Sequence, residues 1–343
     1  MSDANSNAPQ VQTLSMITAN QMIISGGNFN LFASEALAPN EHRKVIYDSF
    51  KDYILSNATH DADDPANPWP RCYPNTRTTT LASLESQAQE KDKRSTIIWV
   101  SGDPSSGKSA IAGSLCDILQ AKGQLGASFF FRPGEYDTKR GFIATIAFHL
   151  AISIPSAQSH IAEVLAANPF IFQQSPQIQM EKLVILPLLE CKLDSSRVIV
   201  VDGLDMYGNI TMQGRMLSVL GEAAARLDGM LKIVIFTRPQ PNIANPFESE
   251  LFKPITAFIN LNDEPPTREE IRIVLEKEIG QIATLHCLSS DSEEVLVDLS
   301  ASTAISAHPL VTSAWTVWGT ISPQKTELPQ DNPPPSSVRS HDG

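Results

Sequence analysis

The sequence predicts an α/β fold in which a mostly parallel sheet is flanked by helices. Short apolar runs rich in β-branched and aromatic residues alternate along the chain with longer stretches of helical periodicity. One run leads into a glycine-rich turn and a helix-capable stretch, in WVSGDPSSGKSAIAG at residues 99–113. Another, RVIVVD at residues 197–202, ends on a carboxylate. Such alternation is typical of βαβ units and therefore of a parallel sheet covered on both faces.

Five apolar runs are expected to be strands because they are short, apolar and bounded by turn-forming residues. They occupy residues 97–101, 126–131, 198–202, 231–237 and 254–261. Helices are expected where apolar residues recur every three or four positions, with interruptions at Pro155 and Pro187. These stretches are residues 36–56, 77–92, 110–119, 139–153, 156–167, 177–190, 210–227, 266–285, 291–300 and 303–318.

Composition divides the chain into a central α/β part and two polar ends. The ends are rich in small polar residues or proline and are expected to be disordered. An Asp-, Pro- and Asn-rich linker at residues 57–76 precedes the alternating strands and helices. The expected organisation is a disordered start at 1–20, an N-terminal segment at 21–76, an α/β domain at 77–262, a helical extension at 263–320 and a disordered tail at 321–343.

The N-terminal segment starts with QMIISGGNFNLFA at residues 21–33, in which apolar ends surround a Gly-Gly-Asn-Phe-Asn centre. We interpret this stretch as a hairpin or a loosely attached arm. The alternative is a β-prone segment that pairs with copies of itself.

Composition also limits the classes of function. A chain of 343 residues with 42% hydrophobic residues can bury a sizeable core, and its net charge of −12 argues against a nucleic-acid partner. Four scattered cysteines without a Cys-x-x-Cys pair argue against a zinc site or a disulfide framework, and fit a reducing compartment. Neither a signal peptide nor an 18-residue apolar run is recognisable, so we expect a cytoplasmic protein without a membrane span.

The strongest chemical signal is the pattern G-x-x-x-x-G-K-S, which predicts a phosphate-binding loop. Backbone N–H groups of such a loop point inward at the start of a helix whose dipole favours anions. Gly107 allows the backbone to approach phosphate closely, Lys108 can reach the β- and γ-phosphates, and the Ser109 hydroxyl can bind Mg²⁺. The residues expected to bind nucleotide are Gly102, Asp103, Pro104, Ser105, Ser106, Gly107, Lys108, Ser109 and Ala110.

Two aspartates follow the apolar run at residues 198–201. A buried strand that ends in Asp202 delivers a carboxylate to the carboxyl edge of the sheet, where ligands bind in open α/β folds. Asp202 is therefore expected to hold Mg²⁺, as a Walker B carboxylate does. Asp205 is a candidate for polarising the attacking water, and the alternative is that it caps the next helix.

Arg238 follows the apolar run at residues 231–237 and is expected at the same edge of the sheet. A fixed cation there could read the γ-phosphate and so distinguish a triphosphate from a diphosphate. The alternative is an arginine that pairs with a carboxylate or a helix C-terminus. Later in the chain, a set of alternating charges is expected to be a solvated helix face, formed by Glu269, Glu270, Arg272, Glu276, Lys277 and Glu278.

These motifs, in this order and spacing, resemble the core of NACHT-type signalling NTPases. That group belongs to the signal-transducing NTPases with numerous domains (the STAND class). The chain looks most like the NLR-like proteins of mushroom-forming fungi, over residues 20 to about 300. The stretches that carry the likeness include GGNF at 26–29, CYPNTR at 72–77, GASFFF at 126–131, VDGLD at 201–205 and FTRP at 236–239.

The resemblance implies a five-stranded parallel P-loop core that binds ATP or GTP with Mg²⁺ and hydrolyses it slowly. It also implies a switch between a closed diphosphate state and an open triphosphate state that self-associates or joins longer NLR-like relatives. By position, Thr76 and Arg77 would lie near the base and ribose. Pro309, in the stretch AHPL at 307–310, stands where related switches contact adenine.

Two departures from the family pattern bear on function. The family usually places Glu after the second aspartate of D-G-L-D, and Met206 stands there instead. A methionine cannot take a proton, so hydrolysis is expected to be weak or absent while binding survives. The chain also ends near where a winged-helix module and sensor repeats usually begin. The resemblance as a whole leads us to expect a nucleotide-dependent switch. Met206 and the missing sensor favour the alternative, a truncated adaptor or decoy that binds nucleotide without turnover. A metabolic kinase or transport ATPase ranks third.

Overall fold

A computed structural model describes residues 39–63, 68–90, 95–132 and 138–286. The expected arm at 21–33, the polar ends, the helices at 291–300 and 303–318, and Pro309 lie outside these residues. The helices of the described part are α1 (Pro39–Phe50), α2 (Thr78–Gln89), α3 (Lys108–Ala121), α4 (Thr138–Ser153), α5 (Gln158–Ala167), α6 (Pro176–Met180), α7 (Leu186–Leu189), α8 (Ile210–Arg226), α9 (Pro241–Phe247) and α10 (Arg268–His286).

The described strands form one five-stranded sheet in the order β2-β3-β4-β1-β5, and every neighbouring pair is parallel. The predicted α/β fold with a parallel sheet is therefore confirmed. Crossovers place β1 between β4 and β5, so the carboxyl ends of β1, β3 and β4 meet at one edge. The strands are β1 (Ile97–Ser101), β2 (Leu125–Phe130), β3 (Arg197–Asp202), β4 (Leu231–Thr237) and β5 (Thr256–Asn260).

Strands β1 to β4 are buried on both faces of the sheet, whereas the edge strand β5 is partly exposed. Alternate residues of the buried strands enter two separate apolar clusters. Ile97 and Trp99 pack into the cluster that also takes in α4, α5 and α8. Ile98 and Val100 pack into the other cluster, beneath α2 and α3. Burial on both faces explains why the strands appear in the sequence as continuous apolar runs rather than as a polar–apolar alternation.

Prolines lie at the start of the last strand and at the break between α4 and α5, whereas the helix expected at residues 36–56 ends at Phe50 without one. Pro254 lies in a 3₁₀ turn, so the last strand begins at Thr256 instead of residue 254. Pro155 opens another short turn between α4 and α5. Among the described residues, no single helix has both the length and the apolar composition of a membrane span; α4 and α5 reach that composition only together, and the chain bends by 113° between them.

The helix expected at residues 177–190 is divided by a π-helical turn at Glu181–Ile185 between α6 and α7. Pro187 has no N–H to donate, and its ring would collide with the carbonyl of Leu183 in a regular α-helix. We attribute the wider turn to this conflict, because π-turns accommodate such local disruptions. The irregularity predicted at Pro187 therefore begins six positions before the proline itself.

The expected linker at residues 57–76 is packed against the α/β core where the structure describes it. The buried His60 ring lies between Ser128 Oγ (3.0 Å) and Gln120 Oε1 (2.6 Å). Arg71 donates hydrogen bonds to both carboxylate oxygens of Asp117 on α3. These contacts hold the segment that precedes α2 against β2 and α3.

Candidate functional site

The turn between β1 and α3 has the backbone shape of a phosphate-binding loop. Gly107 has φ of +89° and Ser105 has φ of +64°, a left-handed conformation that costs little for glycine and more for serine. At Gly102, an added Cβ would lie 2.6 Å from Ser106 Oγ and 3.2 Å from the Cβ of Leu261. The geometry of the loop therefore favours glycine at both positions of the motif.

Lys108 lies across the loop instead of pointing into solvent. Its Nζ donates to the carbonyls of Gly102 (2.7 Å) and Asp103 (2.6 Å), and to Ser106 Oγ at 3.2 Å. Burial lowers the pKa of Lys108, while the nearby carboxylates of Asp202 and Asp205 oppose that shift. The ammonium group is thus held within the concave side of the loop, and an entering phosphate would compete with backbone carbonyls for it.

Ser109 and Asp202 meet below the loop, as the sequence predicts. The Ser109 hydroxyl donates to Asp202 Oδ2 at 2.6 Å, across 93 positions of sequence. Asp202 is 2% exposed at the end of β3, and burial raises its pKa to about 6 despite the Ser109 hydrogen bond and Lys108. A buried carboxylate next to a hydroxyl is a donor set that suits Mg²⁺, which prefers oxygen ligands.

Asp205 and Arg238 are also brought together at this edge. Arg238 Nε lies 3.6 Å from Asp205 Oδ2, and the Arg238 backbone N–H donates to Asp205 Oδ1 at 3.3 Å. The alternative interpretation of Asp205 as a helix cap is wrong, because Asn209 caps α8 by accepting from the Met212 N–H at 3.0 Å. The pairing of Arg238 with a carboxylate, also foreseen from the sequence, is what the structure shows.

Met206 occupies a partly buried position in the same loop. Its side chain packs against the larger apolar cluster, and its methyl group would lie 2.7 Å from a Cβ added at Gly203. Met206 also lines the cleft above the phosphate loop. The cleft therefore presents a thioether, without a proton acceptor, at this point.

The phosphate loop opens into a cleft of about 630 Å³. Residues 104–110 of the loop line it, together with Asp202, Asp205 and Arg238, whereas Gly102 and Asp103 do not. Apolar side chains of α10 form one wall, and the segment at residues 70–73 forms another. The α10 residues that line the cleft are Glu270, Ile271, Val274 and Leu275.

This wall is the part of the site that sequence reasoning missed. Glu270 was expected on a solvated helix face, but its carboxylate accepts hydrogen bonds from the N–H groups of Thr267 (2.8 Å) and Arg77. Burial by itself raises the pKa of Glu270, but these hydrogen bonds hold that pKa below its ordinary value. The pattern T-x-x-E at 267–270 was the available signal, since it is a helix capping box.

Thr76 and Arg77 both line the cleft, but their polar groups are engaged by protein atoms. The Thr76 hydroxyl donates to the Tyr73 carbonyl at 2.8 Å. The Arg77 guanidinium donates to the carbonyls of Ser106 (2.9 Å) and Glu264 (2.8 Å). Their expected contact with base and ribose therefore stays a prediction.

Comparison with known proteins gives one family match. The family described as "Nephrocystin 3, N-terminal" matches residues 75–238, a region that begins just before α2 and ends at Arg238. It therefore includes the whole phosphate loop and both aspartates discussed above. No match was found among curated proteins.

Two solved structures are also similar at low identity. The structure of Drosophila ORC bound to GC-rich DNA and Cdc6 is 12% identical, with a TM-score of 0.34 over 73% of this chain and 37% of that chain. The structure of C. elegans PCH-2 is 10% identical, with a TM-score of 0.31 over 60% of this chain and 48% of that chain. The chain thus spans less than half the length of either. Its parallel sheet and phosphate loop, together with the family match, support a P-loop NTPase-like α/β fold.

Proposed function

We propose that this protein is a nucleotide-binding signalling switch of the NACHT/NLR-like type, acting in the cytoplasm with weak NTPase activity. The observation that carries the proposal is the 2.6 Å contact between Ser109 and Asp202 beneath the Lys108 ammonium, in a cleft with an apolar wall. We assign the NTPase domain to residues 77–262 and a helical extension to 263–320. ATP and ADP are the proposed ligands, with GTP as a further candidate.

Each polar residue of the cleft has a proposed role. The N–H groups of residues 104–110 and the Lys108 ammonium would bind the phosphates, and Ser109 and Asp202 would hold Mg²⁺. The ion would supply a positive charge that neutralises phosphate oxygens. Lys108 must first give up the carbonyls of Gly102 and Asp103, so binding rearranges the loop itself.

Arg238 is the proposed sensor of the γ-phosphate. Its side chain is 46% exposed, while that of its partner Asp205 is 2% exposed, so the arginine is the member of the pair that can turn toward a ligand. A triphosphate would compete with Asp205 for Arg238, and a diphosphate would leave the pair intact. This competition is how the site could distinguish the two nucleotides.

Turnover is proposed to be weak because of the surroundings of Asp205, the candidate for polarising the attacking water. It is already engaged by Arg238, and Met206 supplies no base. The same observation favours the second candidate, an adaptor or decoy that binds nucleotide without turnover. Measurable hydrolysis that is lost in Asp205→Asn would exclude this second candidate.

Nucleotide released from the purified, denatured protein tests the proposal directly. We expect near-stoichiometric ADP from the wild type and none from Lys108→Ala. Lys122→Ala is the matched control, because Lys122 lies at the far end of α3 from the phosphate loop and pairs with Glu85. A wild-type protein that carries no nucleotide, and takes up none when ATP and Mg²⁺ are added, would overturn the proposal.

Self-association is tested separately by light scattering on the protein loaded with ADP, with a non-hydrolysable ATP analogue, or with neither. The switch predicts a larger particle in the triphosphate state, formed by copies of this chain or with longer NLR-like relatives. One unchanged mass in all three states would favour the adaptor.

A further inference from the structure

Three parts of the chain that surround the cleft are joined through one arginine. The Arg77 guanidinium donates to the carbonyl of Ser106 in the phosphate loop and to that of Glu264, which precedes α10. Its backbone N–H donates to the carboxylate of Glu270 on α10 itself. Arg77 therefore connects the start of α2, the phosphate loop and the N-terminus of α10.

The backbone at Arg77 indicates that this connection is held at a cost. Arg77 has φ of +54°, and Asn75 two positions earlier has φ of +67°. A non-glycine residue in this region pays a steric penalty, so it persists only where surrounding contacts demand it. The hydrogen bonds that Arg77 donates to Ser106, Glu264 and Glu270 are among the contacts at this point.

Arg77 is hydrogen-bonded to Ser106 of the phosphate loop and to Glu270 of α10, and each of these two residues makes a second hydrogen bond within its own element. Ser106 offers its carbonyl to Arg77 and its hydroxyl to Lys108, and Lys108 is the group that must move when phosphate enters. Glu270 uses one carboxylate oxygen for Arg77 and the other for the Thr267 N–H that begins α10. A change at Ser106 is therefore one hydrogen bond away from Arg77 and two from the cap of α10.

We propose that Arg77 and Glu270 are positioning residues that couple phosphate binding in the loop to the stability of α10. This inference rests on the proposed function. When phosphate withdraws Lys108 from Ser106, the loop becomes ordered around the anion and Arg77 holds α10 more tightly. The polyphosphate part of the ligand is sufficient for this effect, without contact between a base and α10. Arg77 thus acts on the position of α10 rather than reading the nucleoside.

Inorganic tripolyphosphate with Mg²⁺ is the probe that separates this link from direct contact. It can fill the phosphate loop but has no base or ribose to touch the wall of α10. Hydrogen exchange followed by mass spectrometry reports both regions at once: residues 102–110 report occupancy, and residues 268–277 report the state of α10. In the wild type, we expect the probe to slow exchange in α10 by about tenfold, the scale of one charge-assisted hydrogen bond.

Two variants interrupt the link from opposite sides. Arg77→Gly removes the guanidinium while keeping a residue that favours positive φ, and Glu270→Ala removes the acceptor on α10. Both are expected to lose the response of α10 when they are compared with the wild type at equal protection of residues 102–110. The measure is the ratio of α10 exchange with and without probe, so a general loosening of the helix cancels. Arg272→Ala, which removes the exposed partner of Glu276, is the matched control and should keep the response.

The outcomes distinguish this inference from the proposed function. If neither tripolyphosphate nor Mg²⁺–ATP protects residues 102–110 in the wild type, the proposed nucleotide site itself is wrong. If the loop is protected while α10 exchange is unchanged or faster, the link is wrong and the site stands. A response of α10 that persists in Arg77→Gly and Glu270→Ala also overturns the link.

Discussion

Replacing Asp202 with asparagine should stabilise the protein when no nucleotide or metal is bound. Asp202 is 2% exposed, and burial raises its pKa from 3.8 to about 6. A raised pKa in the folded state means that ionisation costs more there than in the unfolded chain. Stability is therefore lost as the pH rises from about 4 to about 6, and the whole loss is present above that range.

The magnitude follows from the size of the shift. About two pKa units correspond to about 3 kcal/mol at pH 7.5, where the folded carboxylate is ionised. At pH 4.5 the carboxylate is mostly ionised in the unfolded chain and mostly protonated in the folded one. The same relation then gives a destabilisation of about 1 kcal/mol. Asp202→Asn resembles the protonated acid and can still accept from Ser109, so it should gain these amounts over the wild type.

Urea unfolding at both pH values, in EDTA and without nucleotide, measures the effect. Asp194→Asn, at an exposed aspartate in the turn before β3, is the matched control and should change little. With Mg²⁺–ADP added, the order should reverse, because only the wild type gains binding energy from the ion. A variant that is less stable than the wild type at pH 7.5, or whose advantage does not grow with pH, would refute the reasoning.

Three further changes test packing and hydrogen bonding. Gly102→Ala should weaken nucleotide binding at least tenfold by titration calorimetry, because the new Cβ would displace Ser106 and Leu261; unchanged affinity would contradict the tight approach. Lys232→Met should lower the free energy of unfolding, measured with urea, by about 1–3 kcal/mol, because the buried Lys232 ammonium donates to the carbonyls of Gln87 (2.7 Å) and Ser95 (3.0 Å). An equally stable variant would mean that these hydrogen bonds make no net contribution to stability. Asn209→Ala should cost about 1 kcal/mol by removing the cap of α8, whereas Asn209→Asp should preserve it; equal losses in both would point away from capping.

Much of the fold was predictable because its signals are local. The strands at Ile97–Ser101 and Leu231–Thr237 were predicted with the observed bounds, since each is a short run of apolar residues between turns. The π-turn was not predicted in its position, because only the collision of the Pro187 ring with a helical neighbour determines where the helix widens. The linker at residues 57–76 was recognised by composition, but its packing through His60 depends on Ser128 and Gln120, which are distant in sequence.

The candidate site divides in the same way. Gly102, Lys108 and Ser109 belong to one motif of eight residues. A strand that ends at Asp202 places the Asp202 carboxylate at the carboxyl edge of a parallel sheet, where ligands bind. By contrast, the sequence pattern placed Glu270 on a solvated helix face. Its partner Arg77 is 193 positions away, and no spacing in the sequence relates the two.

The sequence by itself determined the parallel α/β fold, the phosphate loop and the edge at which Asp202 and Arg238 stand, because short-range periodicity and one compact motif encode them. Only the tertiary structure decided that α10 forms a wall of the cleft, that Asp205 pairs with Arg238, and that Arg77 joins the loop to α10. These features depend on which surfaces the chain brings together after its crossovers, and hydrogen bonds between distant segments leave no periodic trace in a single sequence.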